Sequence, residues 1–303
     1  MSSLEWIAVD WGTSRMRLWA LDSRGSVIDS QSSDTGMAKL ACDEFEPTLL
    51  GLIEPWINDA TGPVPVIACG MVGARQGWQE VPYEAVPCRP SIQLSRAETQ
   101  SLKVDVRICW GLKQLDPADV MRGEETQIAG LLGNYADYAG VVCLPGTHCK
   151  WARVDQGAVT EFQSYMTGEI FDLLSKSSVL RFSIDQQDWL DEVFDAGVLE
   201  ALDAPEKISG RLFGLRAESL VSEDPRGGNA ARLSGYLIGL ELASTRSYWE
   251  SNEVAIIGAS ALARHYQRAL SLVGRAAQML DTQEMTLAGL TAAYTAYKDR
   301  NNV

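Results

Sequence analysis

The reading of the fold turns on residues 7–30, IAVDWGTSRMRLWALDSRGSVIDS. An apolar, β-prone run over residues 4–10 ends on a carboxylate, Asp10. Gly12, Thr13 and Ser14 follow, and residues 15–22 then alternate polar and apolar as a second strand does. Ser23-Arg24-Gly25 supplies turn chemistry and residues 26–31 a third strand. The chain therefore opens with three adjacent antiparallel strands, and residues 10–14 are the tip of a hairpin. Consecutive backbone N–H groups in such a tip form a concave anion site, to which the Thr13 and Ser14 hydroxyls add donors. A carboxylate beside phosphates works through Mg²⁺ or its waters, because the bare groups repel. An ordinary hairpin turn uses the same residue types, so this tip alone does not establish a phosphate site.

The second half of the chain begins the same way. GVVCLPG (140–146) reads as a buried strand closed by a glycine turn, HCKWARVD (148–155) as a second strand, and AVTEFQSYMTG (158–168) follows a polar turn. Gly146 permits close backbone approach and Thr147 offers a hydroxyl. His148 is placed to answer phosphate charge, whereas Lys150 reads as an exposed polar residue. Two such hairpins, each opening its own domain, can close on a polyphosphate from both sides.

Between and beyond them the pattern alternates. Residues 43–58 form a helix with Phe45, Leu49, Leu50, Ile53 and Trp56 on one stripe, and VPVIACG (64–70) and VRICWG (106–111) are buried strands. Helical patterns dominate 169–250, most continuously over 229–249. EVAIIGAS (253–260) is a strand leaving through Gly258 and Ala259 into a helix, where small residues let a flat ring lie against the backbone. The last helix is 284–299. The expected fold is α/β with mixed sheets in two domains, 1–115 and 116–303, joined near 111–125; the last helix is a candidate to pack back on the first domain.

Met121-Arg122-Gly123-Glu124-Glu125-Thr126-Gln127 begins a helix near that boundary. Adjacent carboxylates there complement the helix dipole. One of them, held in a cleft, would instead orient or deprotonate an attacking hydroxyl. Glu124 and Glu125 point about 100° apart on a helix, so only one can face a cleft, and spacing does not say which. Cys69-Gly70-Met71-Val72-Gly73-Ala74-Arg75 leaves a strand through glycines and could present Arg75 to a small polar ligand, or be an unremarkable loop.

The chain has 303 residues with 26 Lys+Arg against 40 Asp+Glu, a formal charge of −14. That balance argues against a nucleic-acid or anionic membrane surface. No run of about 18 apolar residues or secretory leader is visible. Six cysteines without metal or disulfide spacing read as reduced thiols in a cytoplasmic protein. Walker and dinucleotide glycine motifs are absent.

The hairpins, the glycine exit at 258 and the carboxylate segment, in this order, resemble the sugar kinase/Hsp70/actin superfamily, with its two-domain actin-like (ribonuclease H-like) ATPase fold and an interdomain cleft for nucleotide and sugar. DWGTSRMRLW, CGMVGARQGW, VMRGEETQ, LPGTHCKW and MTGE at 166–169 are further similar to the 2-dehydro-3-deoxygalactonokinase family over essentially the whole chain. The resemblance implies transfer of the ATP γ-phosphoryl group, with Mg²⁺, to the 6-hydroxyl of 2-dehydro-3-deoxy-D-galactonate in galactonate breakdown. It places Asp10 at the metal. Gly12, Thr13 and Ser14 would line one phosphate turn and Gly146, Thr147 and His148 the other. Gly258 and Ala259 would border the nucleoside, and Glu124 or Glu125 would be the base. Gly73, Arg75 and Gly168 would line the sugar side. Arg15 and Ala74-Arg75-Gln76 depart from the residue types expected of the family, and Arg75 is suited to pair bidentately with a sugar-acid carboxylate. A kinase for another sugar acid, an exopolyphosphatase-like phosphohydrolase and a non-enzymatic ATP switch are the rivals. A homodimer is left open.

Overall fold

A computed structural model describes residues 3–90, 93–185, 187–222, 227–258 and 260–301. In chain order the strands and α-helices are β1 (Trp6–Trp11), β2 (Met16–Leu21), β3 (Val27–Ser33), α1 (Phe45–Ile57), β4 (Val64–Gly70), β5 (Tyr83–Ala85), β6 (Leu94–Arg96), β7 (Val104–Cys109), β8 (Gly111–Leu115), β9 (Ala118–Met121) and α2 (Glu124–Asn134). Then come β10 (Gly140–Leu144), β11 (Cys149–Asp155), β12 (Ala158–Tyr165), α3 (Thr167–Lys176), α4 (Asp191–Asp203), α5 (Ile208–Val221), α6 (Asn229–Ser244) and α7 (Arg246–Trp249). The chain closes with β13 (Val254–Gly258), α8 (Ser260–Leu272), β14 (Ala277–Asp281) and α9 (Thr282–Asn301).

Two compact units result: residues 1–138, 154–161 and 282–303 form the first, and residues 139–153 and 162–281 the second. The division falls after Tyr138 rather than near 115. The reason is packing: α2 lies along α9, and α9 also lies against β1 and β4.

The first unit is built on a six-stranded sheet ordered β3-β2-β1-β4-β7-β6. β1 and β2 are antiparallel, as are β2 and β3, while β1-β4 and β4-β7 are parallel. Alternation along β1 explains the two cores. Ile7, Val9 and Trp11 face α1, packing with Phe45, Leu49 and Ile53. Trp6 and Ala8 face the other way, onto Leu290, Ala293 and Tyr294 of α9. Trp6 and Tyr294 stack with centroids 4.4 Å apart. A second, three-stranded sheet, β5-β8-β9, has elements of only three to five residues, too short for a periodic signal in the sequence.

Most of the five-stranded sheet β12-β11-β10-β13-β14 belongs to the second unit, with β10-β13 and β13-β14 parallel; residues 154–161, at the β11-β12 turn, fall in the first. The helical stretch expected over 229–249 breaks at Thr245, whose hydroxyl donates back to the Glu241 carbonyl. The glycines of this region serve packing: a Cβ at Gly235 would overlap the Phe194 carbonyl on α4. Among the described residues, no helix is long and apolar enough to cross a membrane. The six cysteines are free thiols, four of them buried.

Helices α2 and α9 touch backbone to backbone. A Cβ at Gly130 would overlap the Met285 carbonyl, and one at Gly289 the Thr126 carbonyl. Gly289→Ala should therefore cost about 3 kcal/mol of stability, measured by urea unfolding; a change near zero would show that the two helices separate freely.

Candidate functional site

The first hairpin tip is held from behind. Gly12 N–H donates to the Arg15 carbonyl (2.8 Å), and the Gly12 and Thr13 carbonyls accept from Met37 and Ala38, each at 3.0 Å. Carbonyls tied inward leave Thr13 and Ser14 exposed. Asp10 lies opposite Arg17 on β2, whose Nε and Nη2 donate to Asp10 Oδ2 at 3.1 and 2.5 Å. Strand alternation turns Asp10 toward the same face as Cys69, whose Sγ is 3.9 Å from Oδ1.

Two glycines then bring α2 to this strand end. Gly70 has φ +90°, and a Cβ there would lie 2.7 Å from the Trp11 carbonyl. Gly123 has φ +106°, and a Cβ there would lie 3.3 Å from the Gly70 α-carbon. Both conformations are strained for any other residue. Asp10 and the Glu124-Glu125 segment are thus neighbours through Gly70.

The two glutamates differ sharply. Glu125 is fully buried. One carboxylate oxygen accepts from Gly123 N–H at 2.5 Å, the other from the Thr126 hydroxyl at 2.9 Å. Burial first, and then the charge of Glu124, push its pKa up to about 8. Glu124 is half-buried and accepts from the Arg122 backbone N–H at 3.1 Å. Only Glu124 retains access to solvent, and so to a ligand.

Gly73 is buried, and a Cβ there would lie 2.8 Å from Arg122 Nη1. Arg75, two residues on, is exposed and engaged by no other described residue. The surrounding loop is closed by backbone hydrogen bonds: Ala74 and Gly77 N–H groups close successive turns and Trp78 N–H returns to the Val72 carbonyl at 2.9 Å. Arg15 pairs with Asp34 at 3.3 Å on the surface.

In the second unit, Gly146 and Thr147 form the turn between β10 and β11. Gly168 presses on it, since a Cβ there would overlap the Gly146 carbonyl, and Glu169 N–H donates to the Thr147 carbonyl at 3.0 Å. His148 Nε2 lies 2.5 Å from Glu169 Oε2, so this ring already has an anionic partner. Lys150, read from sequence as exposed, is instead buried within β11, with Nζ 3.4 Å from the His148 carbonyl. Gly258 adjoins Pro145: a Cβ at Gly258 would lie 3.1 Å from the proline ring. Ala259 lies outside the described residues.

A cavity of about 400 Å³ opens from this turn. Gly146, Thr147, Thr167 and Gly168 line one end, and the rest of its lining includes Asp172, Trp189, Leu237, His265 and Tyr266. It is the size of a small-molecule site and mostly apolar. His265 stacks on Trp189 with centroids 4.2 Å apart, and burial lowers its pKa. Behind the cavity, buried Glu241 accepts from Trp151 Nε1 (2.6 Å), the Tyr266 hydroxyl (2.8 Å) and the Thr167 hydroxyl. One carboxyl group thereby locks β11, α3 and α8 around the turn. Of these residues the sequence offered one signal, a lone glutamate between Leu240 and Leu242 in an apolar helix.

Two units on mixed sheets, each opening on a glycine-hydroxyl hairpin, define the actin-like ATPase and sugar-kinase class of fold, and solved structures at low identity share it. The family model for 2-keto-3-deoxy-galactonokinase matches residues 10–293. The chain is 36% identical over 296 residues to a protein of Rhizobium meliloti named "Probable 2-dehydro-3-deoxygalactonokinase", covering 95% of this chain and 96% of that one. It is 33% identical over 273 residues to the 2-dehydro-3-deoxygalactonokinase of Escherichia coli, covering 89% and 90%. A crystal structure from Sinorhizobium meliloti, provisionally named as the same kinase, superposes with a TM-score of 0.87 at 34% identity over 96% of both chains. The chain belongs to the 2-keto-3-deoxy-galactonokinase family, whose members are ATP-dependent sugar-acid kinases.

Glu125 sets a pH dependence. Its folded pKa, near 8, exceeds the unfolded value of 4.5. The native state therefore holds a proton that the unfolded chain has lost, and this contribution to stability is full below about pH 4.5 and lost as pH rises through about 8. Glu125→Gln should flatten that decline in denaturant titrations from pH 5 to pH 8.5; an unchanged slope would show that Glu125 ionises normally.

Proposed function

We propose that this chain transfers the γ-phosphoryl group of ATP to the 6-hydroxyl of 2-dehydro-3-deoxy-D-galactonate, giving ADP and the 6-phosphate. Family membership supplies the reaction class, and the family favours the kinase over the phosphohydrolase reading. The observation that carries the roles is the approach of Gly123 to Gly70, which sets one accessible carboxylate, Glu124, beside the strand end bearing Asp10.

Phosphoryl transfer needs positioning and charge stabilisation more than covalent help. Glu124 is the base: it takes the proton of the 6-hydroxyl as that oxygen attacks the γ-phosphorus and the bond to the β–γ bridging oxygen breaks. Glu125 is not the base, because both of its oxygens are committed to the start of α2. Its role is to hold that first turn, and with it Glu124, in place.

Asp10 suits Mg²⁺. Arg17 occupies Oδ2, while Oδ1 lies toward Gly70 and meets only the weak thiol donor of Cys69, 3.9 Å away. Among the described residues no cluster of three ligating side chains exists. That matches Mg²⁺ arriving with ATP, which is held by one or two carboxylates, phosphates and water. When bound, Mg²⁺ would offset charge developing on the phosphates.

In the second unit, Gly146 and Thr147 supply backbone and hydroxyl donors to the phosphate tail, and the cavity behind them receives the nucleoside, with His265 and Trp189 as its aromatic wall. Gly258 supports the turn through Pro145. His148, bound to Glu169, steadies the turn and α3 rather than meeting phosphate directly. On the sugar side Gly73 and Arg75 shape the acid's approach, and Arg75 has no competing partner. The protein works in the cytoplasm, where ATP and sugar acid coexist.

Glu124→Gln should lower kcat roughly 10²–10⁴-fold with little change in KM for ATP, and Glu125→Gln should act mainly on stability. An ADP-release assay over a panel of 2-keto-3-deoxy acids checks substrate and base together. Equal, mild effects of the two substitutions would remove Glu124 from the role. Arg75→Ala should raise KM for the acid several-fold; an unchanged KM would remove Arg75 from the sugar side.

A further inference from the structure

Arg122 is the least expected charge in the first unit. Only 9% of it is exposed, and among the described residues no carboxylate pairs with its guanidinium. Its side-chain partners are neutral. Nη2 donates to the Val81 carbonyl at 2.9 Å, Nε donates to the Tyr83 hydroxyl at 3.3 Å, and the guanidinium carbon lies 4.1 Å from the Tyr83 ring centre. Nη1 has no acceptor. Buried charges are ordinarily paired, because neutral hydrogen bonds do not restore what water supplied. A guanidinium kept dry without a counter-ion is primed for an anion.

Tyr83 supplies the contact that Arg122 cannot make itself. Arg122 is enclosed, its Nη1 lying beneath Gly73, whereas Tyr83 is half-buried and reaches solvent. The phenol oxygen accepts from Arg122 Nε and, among the described residues, its proton is donated to no group. The phenol is thus an available donor with a positive charge directly behind it. The ring is seated on β5 opposite Gly111 of β8, where a Cβ would collide with it at 2.7 Å. The same arginine is tied to the reacting end, since its backbone N–H donates to Glu124.

We propose that Tyr83 and Arg122 together form the subsite that reads the carboxylate of the sugar acid, the phenol donating to it and the buried guanidinium supplying the charge. This rests on the sugar-acid kinase reading above and names its specificity determinant. Arg75, exposed to solvent, is screened and acts on approach more than on selection; the buried Arg122 acts on the bound anion.

The test compares KM for the acid and for ATP in wild type, Arg122→Gln and Tyr83→Phe, and repeats turnover on an uncharged analogue carrying a primary alcohol in place of the carboxylate. Arg122→Gln should raise KM for the acid about 10²-fold and Tyr83→Phe about tenfold, with KM for ATP within about twofold of wild type. On the uncharged analogue, wild type and variants should turn over alike, which an arginine needed only for folding would not produce. Unchanged KM for the acid in both variants, or equal losses on charged and uncharged substrates, would overturn the proposal. Tyr83→Phe deletes a single hydroxyl and remains decisive if Arg122→Gln does not fold. The wild-type control separates the two readings: if it phosphorylates a different sugar acid, the substrate assignment changes and the same losses are expected on that acid. If it phosphorylates no acid, the kinase reading fails and takes this subsite with it.

Discussion

At Gly70 and Gly123 three backbones meet with no side chain between them: the end of β1, the end of β4 and the start of α2. The placement of Glu124 beside Asp10 follows from that approach. A side chain at either position would have to adopt a conformation that L-residues avoid. It would also displace the start of α2 from the strand carrying Asp10. The two acids that this approach brings together, Asp10 and Glu124, come from positions more than a hundred residues apart. Their placement is set by what two residues lack, while the neighbouring cores supply the stability that holds strained backbone in place.

The second unit uses a carboxyl group where the first uses glycine. Glu241 gathers an indole and two hydroxyls from three elements around the Gly146-Thr147 turn. A buried acid is tolerable only when its oxygens are satisfied, and these are satisfied by groups whose positions matter. Gly168 is then held against the turn, and the apolar cavity keeps its shape. Both units thus devote a buried acid, Glu125 or Glu241, to holding the geometry from which other residues act.

Much of this was legible in the sequence, and the exceptions have physical reasons. The hairpins at 10–14 and 145–148 were readable because strand alternation, glycine and hydroxyls leave local marks. The carboxylate segment was readable as a helix start, but which glutamate turns inward depends on what α2 packs against, and that lies in α9, over 150 residues away. Lys150 misled because polarity was taken for exposure, whereas β11 is covered on both faces. The strands of the small sheet were too short to show a period, and Tyr83 on β5 and Arg122 just after β9 come from opposite edges of that sheet. His265 and Trp189 left no motif, since an aromatic wall is defined only by the cavity it borders. The departure at Ala74-Arg75-Gln76 was visible, but its consequence was not, because the side chain beneath the loop comes from elsewhere in the chain.

Residues 282–301 supply half the covering of the first sheet: without Leu290, Ala293 and Tyr294, the face carrying Trp6, Ala8, Trp19 and Ile67 has no partner. A ribosome making this chain therefore delivers every residue of the second unit before the first can close. Until α9 emerges, an indole-rich surface lies open to water and to chaperones. The order of synthesis is inverted relative to the order of completion, and the sheet that starts the protein is the last to be sealed.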